Sequence, residues 1–439
     1  MARSKSLLRG IVLVSAASLA LTACAADETE PGGQADGGTP TTEAATDDCP
    51  DNEPPDVSGD GTLKIGSLLP QTGSLAFLGP PEFAGVDLAI DEINKAGGAL
   101  GNDVEIEHSD SGDAQNPVAS ASVDRLFSAN ADAIVGAASS GVSLSVIDKI
   151  TGAGVVQFSP ANTSDEFSEY CDKGLYFRTA PPDQLQGRVL AELVASDGAQ
   201  VVSIMALQDS YGTGLADQTE KNLLASNIQV PEKIIYDPKA PTFATEVSKA
   251  KAANPDAIVL IGFDETKKII PEMVKQGVGP KDVPAYFVDG NLADYSKDFR
   301  KGTLGENVKG TLPGATAPGD FRDRLLEIDP KLTEFSYAAE SYDATILTAL
   351  GAVAADSDAG PDIAAELPDV SREGTECSSY EECKQLLENG EDIDYQGVSG
   401  PVDFLDNGDP SVAFVGIYQY KNDNTFDFLE SRRGEIAGG

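Results

Sequence analysis

Apolar and polar positions follow two periods along most of this chain. The run Leu63, Lys64, Ile65 has the spacing of a strand over residues 62–66, and Phe83, Val86, Ile90 and Ile93 share one face of a helix over residues 80–94. Val104, Ile106 and His108 then alternate with Glu105 and Glu107, which suits a half-buried strand with His108 as a satisfied core histidine. Asn116 and Pro117 read as the N-cap and first residue of the next helix. A buried strand is expected at 132–136, a helix at 142–152 and a strand at 155–159. The rhythm restarts after Pro181 and Pro182. Strands are expected at 201–206, around Ile234, at 257–261 and at 285–288, with helices at 214–226, 243–253 and 266–277. A long helix at 335–354 and strands near 401–405 and 412–420 complete the pattern. Strands alternating with helices of this length imply an α/β fold with parallel sheets covered on both faces. Two such runs imply two similar Rossmann-like lobes, assigned to residues 62–180 with 312–400 and to residues 181–311 with 401–439.

The first 61 residues do not fit this rhythm. Arg3, Lys5 and Arg9 form a basic head, and residues 7–21 an apolar stretch too short to span a bilayer comfortably. Leu21, Thr22, Ala23 and Cys24 follow, in an order that resembles a bacterial lipobox. Residues 1–23 are therefore expected to be a lipoprotein signal peptide, with lipid on Cys24 as the only membrane attachment. Ala23, Cys24 and Ala25 also fit an A-x-A cut, which would discard Cys24. Residues 24–61 are rich in Gly, Pro, Thr, Asp and Glu and poor in large apolar residues, so they read as a disordered acidic tether.

Composition narrows the partners. The chain has 439 residues, enough for about two domains after a signal and a tail, at roughly 150 residues each. Its net charge of −41 argues against nucleic acid or anionic lipid surfaces, whose phosphates need Lys and Arg. Five cysteines become four once Cys24 is set aside. Cys377 and Cys383 are close enough to close a local loop, which leaves Cys49 to pair with Cys171. One histidine and no C-x-x-C argue against a metal site, and no cofactor is expected.

In open parallel sheets, ligands bind beyond the carboxyl ends of the strands. Those ends read PQTG (70–73), ASSG (138–141), SPANT (159–163), QDSYG (208–212), GFD (262–264) and DGN (289–291). Ser140 stands just before a helix, where free N–H groups and the dipole favour an anion. Asp289 could hold a cation from the other lobe. A carboxylate site facing an ammonium site has the shape of an amino-acid pocket. Ser139, Ser140 and Thr163 are equally able to serve as plain helix caps, Asp289 as a turn residue, and Tyr337 as core.

At these residues the chain resembles a known family. Residues 65–101 (IGSLLPQTGSLAFLGPPEFAGVDLAIDEINKAGGALG) are similar to the opening of branched-chain amino-acid-type periplasmic binding proteins, the extracytoplasmic receptors of ABC importers. The resemblance continues through residues 132–163, YFRT (176–179), DSYG (209–212), AESYDA (339–344) and GVSGPVDFLDNG (397–408), and covers about residues 62–430. It implies a type I fold, two lobes joined by a three-stranded hinge near 179–182, 310–313 and 400–401, closing on a ligand without any reaction. It places the ligand carboxylate on Ser140, assisted by Ala161 and Thr163, and the α-ammonium on Asp289. Aromatic walls fall near Phe263 and Tyr337. Leu78, with Phe77 beside it, replaces a first-lobe aromatic, and Ser139 and Tyr211 complete the candidate ligand set. The implied partners are a small-molecule ligand and a membrane permease, and the receptor is expected to act as a monomer.

Two other readings remain beside the amino-acid receptor. One is a receptor of the same fold for an amide, urea or small carboxylate, which would leave Asp289 without a cationic partner. The other is an envelope hydrolase. It has little to work with, since His108 is the single histidine and G-x-S-x-G, H-E-x-x-H and Walker A sequences are absent.

Overall fold

The computed structural model describes residue 49, residues 52–114 and residues 116–436. The expected signal peptide, Cys24 and most of the expected tether lie outside the described residues.

The first lobe is built from β1 (Lys64–Leu69), α1 (Gly79–Lys95), β2 (Glu105–Asp110), α2 (Ala119–Ser128), β3 (Ala133–Gly136), α3 (Ser140–Thr151), β4 (Val156–Ser159) and β5 (Tyr176–Arg178). The second lobe follows as α4 (Asp183–Ser196), β6 (Val201–Leu207), α5 (Ser210–Ala225), β7 (Gln229–Tyr236), α6 (Ala244–Ala252), β8 (Ala257–Ile261), α7 (Thr266–Gln276), β9 (Ala285–Phe287) and β10 (Val308–Pro313). The chain then returns to the first lobe with α8 (Gly319–Ile328), α9 (Ala338–Ala355), α10 (Gly360–Val370), β11 (Thr375–Cys377), α11 (Tyr380–Glu388) and β12 (Ile393–Tyr395). It ends in the second with the hairpin β13 (Val412–Tyr420) and β14 (Phe426–Glu435).

The first sheet has the order β2-β1-β3-β4-β5, all parallel. The second has the order β14-β13-β10-β9-β8-β6-β7 and is parallel except for the terminal hairpin. In each sheet the order reverses beside the lobe's first strand. The crevice at the carboxyl ends of β1 and β3 therefore faces its counterpart at β6 and β8.

Central strands are apolar throughout, as both faces are covered: every residue of β3 and of β8 is buried. Helix α9 is buried at each position from Ala338 to Ala352, because α1, α10 and α11 surround it. Gly85 permits the closest of these approaches; a Cβ there would lie 2.2 Å from the Ala338 carbonyl oxygen. Gly85→Ala is expected to lower stability by about 1–3 kcal/mol through overpacking. Urea denaturation checks this, and an unchanged midpoint would show that the two helices slide apart freely.

Several expectations need correction. Helix α2 begins at Ala119 and not at Pro117, because the backbones of Asn116 and Asp113 pair with each other at 3.1 Å in both directions and close a tight loop first. Helix α5 begins four residues earlier than expected, where Asp209 Oδ1 accepts the Gly212 N–H at 2.7 Å. Residues 401–405 form isolated bridges to Gln396 and Pro410 and no strand. His108 is not in the core. Its side chain is about one-third exposed, with Nδ1 2.6 Å from Ser67 Oγ and Nε2 2.9 Å from Asp87.

The expected tether is shorter than residues 24–61. Asp358 Oδ2 accepts the backbone N–H groups of Asp60, Gly61 and Thr62 at 2.8–3.0 Å, and Asn52 Oδ1 accepts that of Lys173 at 2.6 Å. Residues 52–61 are thus a strap laid along the first lobe, fixed at its start by the Cys49–Cys171 disulfide. Cys377 and Cys383 form the second disulfide.

The lobe boundaries also shift. Pro313 still pairs in the second sheet, and Val402 and Phe404 still pack in the first lobe's core. The interlobe crossings run at 179–182, 314–318 and 405–411.

Candidate functional site

Loops from both lobes meet over the paired crevices. Gly136, at a φ of +134°, ends β3 where a Cβ would lie 2.1 Å from the Leu68 carbonyl oxygen. The turn beyond it is tied down by side chains. Ser143 Oγ accepts the Ala137 N–H at 2.9 Å, and Asn162 Nδ2 donates to the carbonyls of Ala137 and Ala138, both at 2.9 Å. Ser139 then caps α3 by position, but its hydroxyl makes no capping bond. The start of α3 thus has no side-chain cap, and Ser139 and Ser140 bring it, with the positive end of its dipole, to the wall of the interlobe space. Ser140 Oγ accepts the Ser164 N–H at 3.3 Å, linking this turn to the one after β4.

The second lobe offers a carboxylate. Asp289 follows β9 in a short 3-10 turn and is buried. Its Oδ1 accepts Gln186 Nε2 and the Tyr211 hydroxyl, each at 2.8 Å, and its Oδ2 accepts the Tyr337 hydroxyl at 2.9 Å. Burial pushes its carboxyl above the usual range, and these three bonds oppose the shift. Tyr211 stacks on Phe263 with ring centroids 5.5 Å apart and planes 6° from parallel. Tyr337 comes from the first lobe, where it precedes α9 at a φ of +60°, so its bond to Asp289 spans the lobes. Gln218 to Asp165 at 2.6 Å and Lys239 to the Ala114 carbonyl at 2.9 Å span them as well.

A central cavity lies between the lobes. Leu75, Leu78, Ala138, Ser139, Ser140, Ala161 and Tyr337 line it from the first lobe, and Tyr211, Phe263, Asp289 and Gly290 from the second. It leaves about 10 Å3 for the centre of a water-sized sphere, room for a single water. Leu75, Leu78, Ala138 and Ala161 pack into the same apolar cluster as the second lobe's core, so the two lobes are shut on each other. Outer clefts of about 710 and 630 Å3 flank the cavity, and both are lined in part by Ser74 and Phe263.

Eight of the ten candidate ligand residues named from the sequence line this cavity. Phe77 instead lines the larger outer cleft. Thr163 is buried behind the turn, where its carbonyl accepts the Asp183 N–H at 2.6 Å. Gln186 was missed because α4 was missed. Leu185, Val189 and Leu193, spaced by four and following Pro181 and Pro182, carried the signal for that helix. Among the described residues no cluster of His, Cys, Asp and Glu could hold a metal, and no helix is long and apolar enough to cross a membrane.

Known proteins share this architecture. The Leu/Ile/Val-binding protein homolog 1 of Brucella suis biovar 1 is 26% identical over 386 residues, covering 83% of this chain and 93% of that protein. A chemotactic signal transduction system substrate-binding protein, BasB, of Halobacterium salinarum is 26% identical over 369 residues, covering 80% and 86%. The crystal structure of LivJ from Streptococcus pneumoniae, a branched-chain amino acid transporter substrate-binding protein in complex with isoleucine, superposes with a TM-score of 0.69 at 22% identity, over 85% of this chain and all of that one. A solute-binding protein from R. palustris in complex with benzoate superposes at 0.67 and 17% identity, over 86% and 98%. Residues 62–421, spanning both lobes and all three crossings, match the periplasmic binding protein family, and the chain belongs to it.

Proposed function

We propose that this chain is the solute receptor of an ABC importer, acting as a monomer outside the cytoplasm and held to the membrane by lipid on Cys24. It takes an α-amino acid between its lobes and delivers it to a membrane permease. The observation that carries the ligand class is the pairing of opposite polarities across one small cavity: the uncapped start of α3 on one side and Asp289 on the other. Ser139, Ser140 and Ala161 receive the carboxylate, with Thr163 bracing the turn behind them and the helix dipole in support. Asp289 and Tyr211 receive the ammonium, and Leu78, Phe263 and Tyr337 enclose the side chain. The closed cavity has room for about one water, so the lobes must part to admit a ligand, and binding is read out as closure.

Thermal-shift screening against amino acids, amides and carboxylates tests the ligand class. Asp289→Asn should weaken amino-acid binding more than tenfold, about 1.4 kcal/mol, with little change in melting temperature. Equal affinity would sink the amino-acid reading. Mass spectrometry of the mature N-terminus tests the anchor; an unmodified chain starting at Ala26 would mean a freely diffusing receptor.

A second reading has one observation in its favour. Asp289 already accepts three neutral hydrogen bonds, and a carboxylate offers about four acceptor directions, so little of it is left for an ammonium. An amide or a small carboxylate needs less. A melting shift with such a ligand and none with any α-amino acid would favour it.

A further inference from the structure

Arg178 ends β5 with its side chain entirely buried. Its Nη1 donates to the carbonyls of Ser164 at 2.7 Å and Asn162 at 3.3 Å, either side of Thr163. Its Nε donates to Asp409 Oδ1 at 2.6 Å, and its Nη2 to Ser168 Oγ at 2.9 Å. Ser168 Oγ in turn donates to Asp409 Oδ2 at 2.6 Å. Asp409 lies in the third interlobe crossing, and that crossing is also docked on β5 through the Arg178 N–H and the Gly408 carbonyl, 3.1 Å apart. The carbonyl between the two that Arg178 holds, that of Thr163, accepts the N–H of Asp183 at the start of α4, just past the first crossing. The carbonyls of three successive residues in the turn after β4 are therefore bonded to Arg178 and Asp183, which flank the first crossing, and are linked through Arg178 to Asp409 of the third. A peptide plane is rigid, so fixing a carbonyl also fixes the N–H that follows it.

We infer that Arg178 is a positioning residue. It couples the turn at 161–164 to the third crossing, so that the groups receiving an anion are set in place by the same contacts that guide lobe closure. The inference rests on the proposed carboxylate site. Lys cannot replace Arg here, because a single ammonium cannot span two carbonyls, a hydroxyl and a carboxylate in the fixed fork that guanidinium provides.

The test compares wild type with Arg178→Lys and with the milder Ser168→Ala. Hydrogen exchange is followed in peptides covering 161–165 and 405–411, and L-isoleucine, L-isoleucinamide and benzoate are titrated by calorimetry. Arg178→Lys should raise exchange in both peptides together and weaken L-isoleucine at least tenfold. It should also shrink the preference for L-isoleucine over its amide, which a general loss of stability would leave unchanged. Ser168→Ala should move each quantity the same way by about threefold, and it serves if Arg178→Lys does not fold. Unchanged protection of 161–165, or raised exchange with unchanged affinity and amide preference, overturns the inference. If wild type takes benzoate and not isoleucine, the amino-acid reading fails, and loss of benzoate affinity in the variants supports the inference. If wild type takes none of the three, raised exchange confined to 161–165 and 405–411, with the remote strand at 229–236 unchanged, supports the inference, and a uniform rise overturns it.

Discussion

Replacing Cys49 and Cys171 together by serine is expected to lower the unfolding free energy by up to about 5 kcal/mol. The same change at Cys377 and Cys383 should cost about 2 kcal/mol. The difference follows from loop length. The first disulfide joins residues 122 apart in sequence and the second residues 6 apart, and a longer closed loop removes more freedom from the unfolded chain. The first pair should also act locally. Without it, the strap at 52–61 is held by the Asp358 carboxylate and the Asn52 side chain, whose bonds are half-exposed. Urea unfolding of the two double variants, with proteolysis at 52–61, checks both effects. Equal losses, or a strap as protected as in wild type, would refute the argument.

Glu340→Gln is expected to raise stability by up to about 3 kcal/mol at pH 7 and to flatten its dependence on pH. Glu340 sits in the first turn of α9 and is buried. A Cβ on Gly314, in the second crossing, would lie 1.9 Å from its carboxylate oxygen. Burial, with the charge of Asp343, pushes its carboxyl up to about 8. Glu82 on α1 is buried nearby with no hydrogen-bond partner on either oxygen, and burial with the Glu340 charge pushes it well above the usual range. Between pH 4.5 and 8 the folded protein keeps a proton that the unfolded chain releases. Stability therefore falls as pH rises through that window and levels off above it. At about 1.36 kcal/mol per unit, the whole window amounts to about 5 kcal/mol for Glu340. Asp132 and Asp172, both pushed up to about 7 chiefly by burial, act in the same direction. Urea midpoints of wild type and variant at pH 5, 6, 7 and 8 decide it; parallel slopes would show that Glu340 is ionised in the folded protein.

The α/β rhythm was legible in the sequence wherever an element was long and one-sided, as in α1 and α7, or apolar throughout, as in β3 and β8. The strand ends led to most of the central cavity, since a parallel sheet puts its loops at one edge. Other elements were hidden for physical reasons. Strands β11 and β12 have three residues each, too few for a period to show. Strand β14 has mostly exposed residues and owes its form to pairing with β13. Pro368 inside α10 obscured that helix. The strap could not be read from composition. Its acidic, apolar-poor residues are ordered by backbone bonds to the remote side chain of Asp358, about 300 positions away, and by a disulfide. The saturation of Asp289 was likewise invisible, because Gln186, Tyr211 and Tyr337 come from three separate segments.

The strap also has a practical consequence. It rides on the first lobe, while the β13–β14 hairpin rides on the second. A fluorescent donor at Glu53, beside Cys49, and an acceptor at Asp427, on the exposed edge of the hairpin, would therefore sit on opposite sides of the moving joint. Energy transfer between them would follow each opening and closing in real time, and would serve as a gauge for ligands of any chemistry.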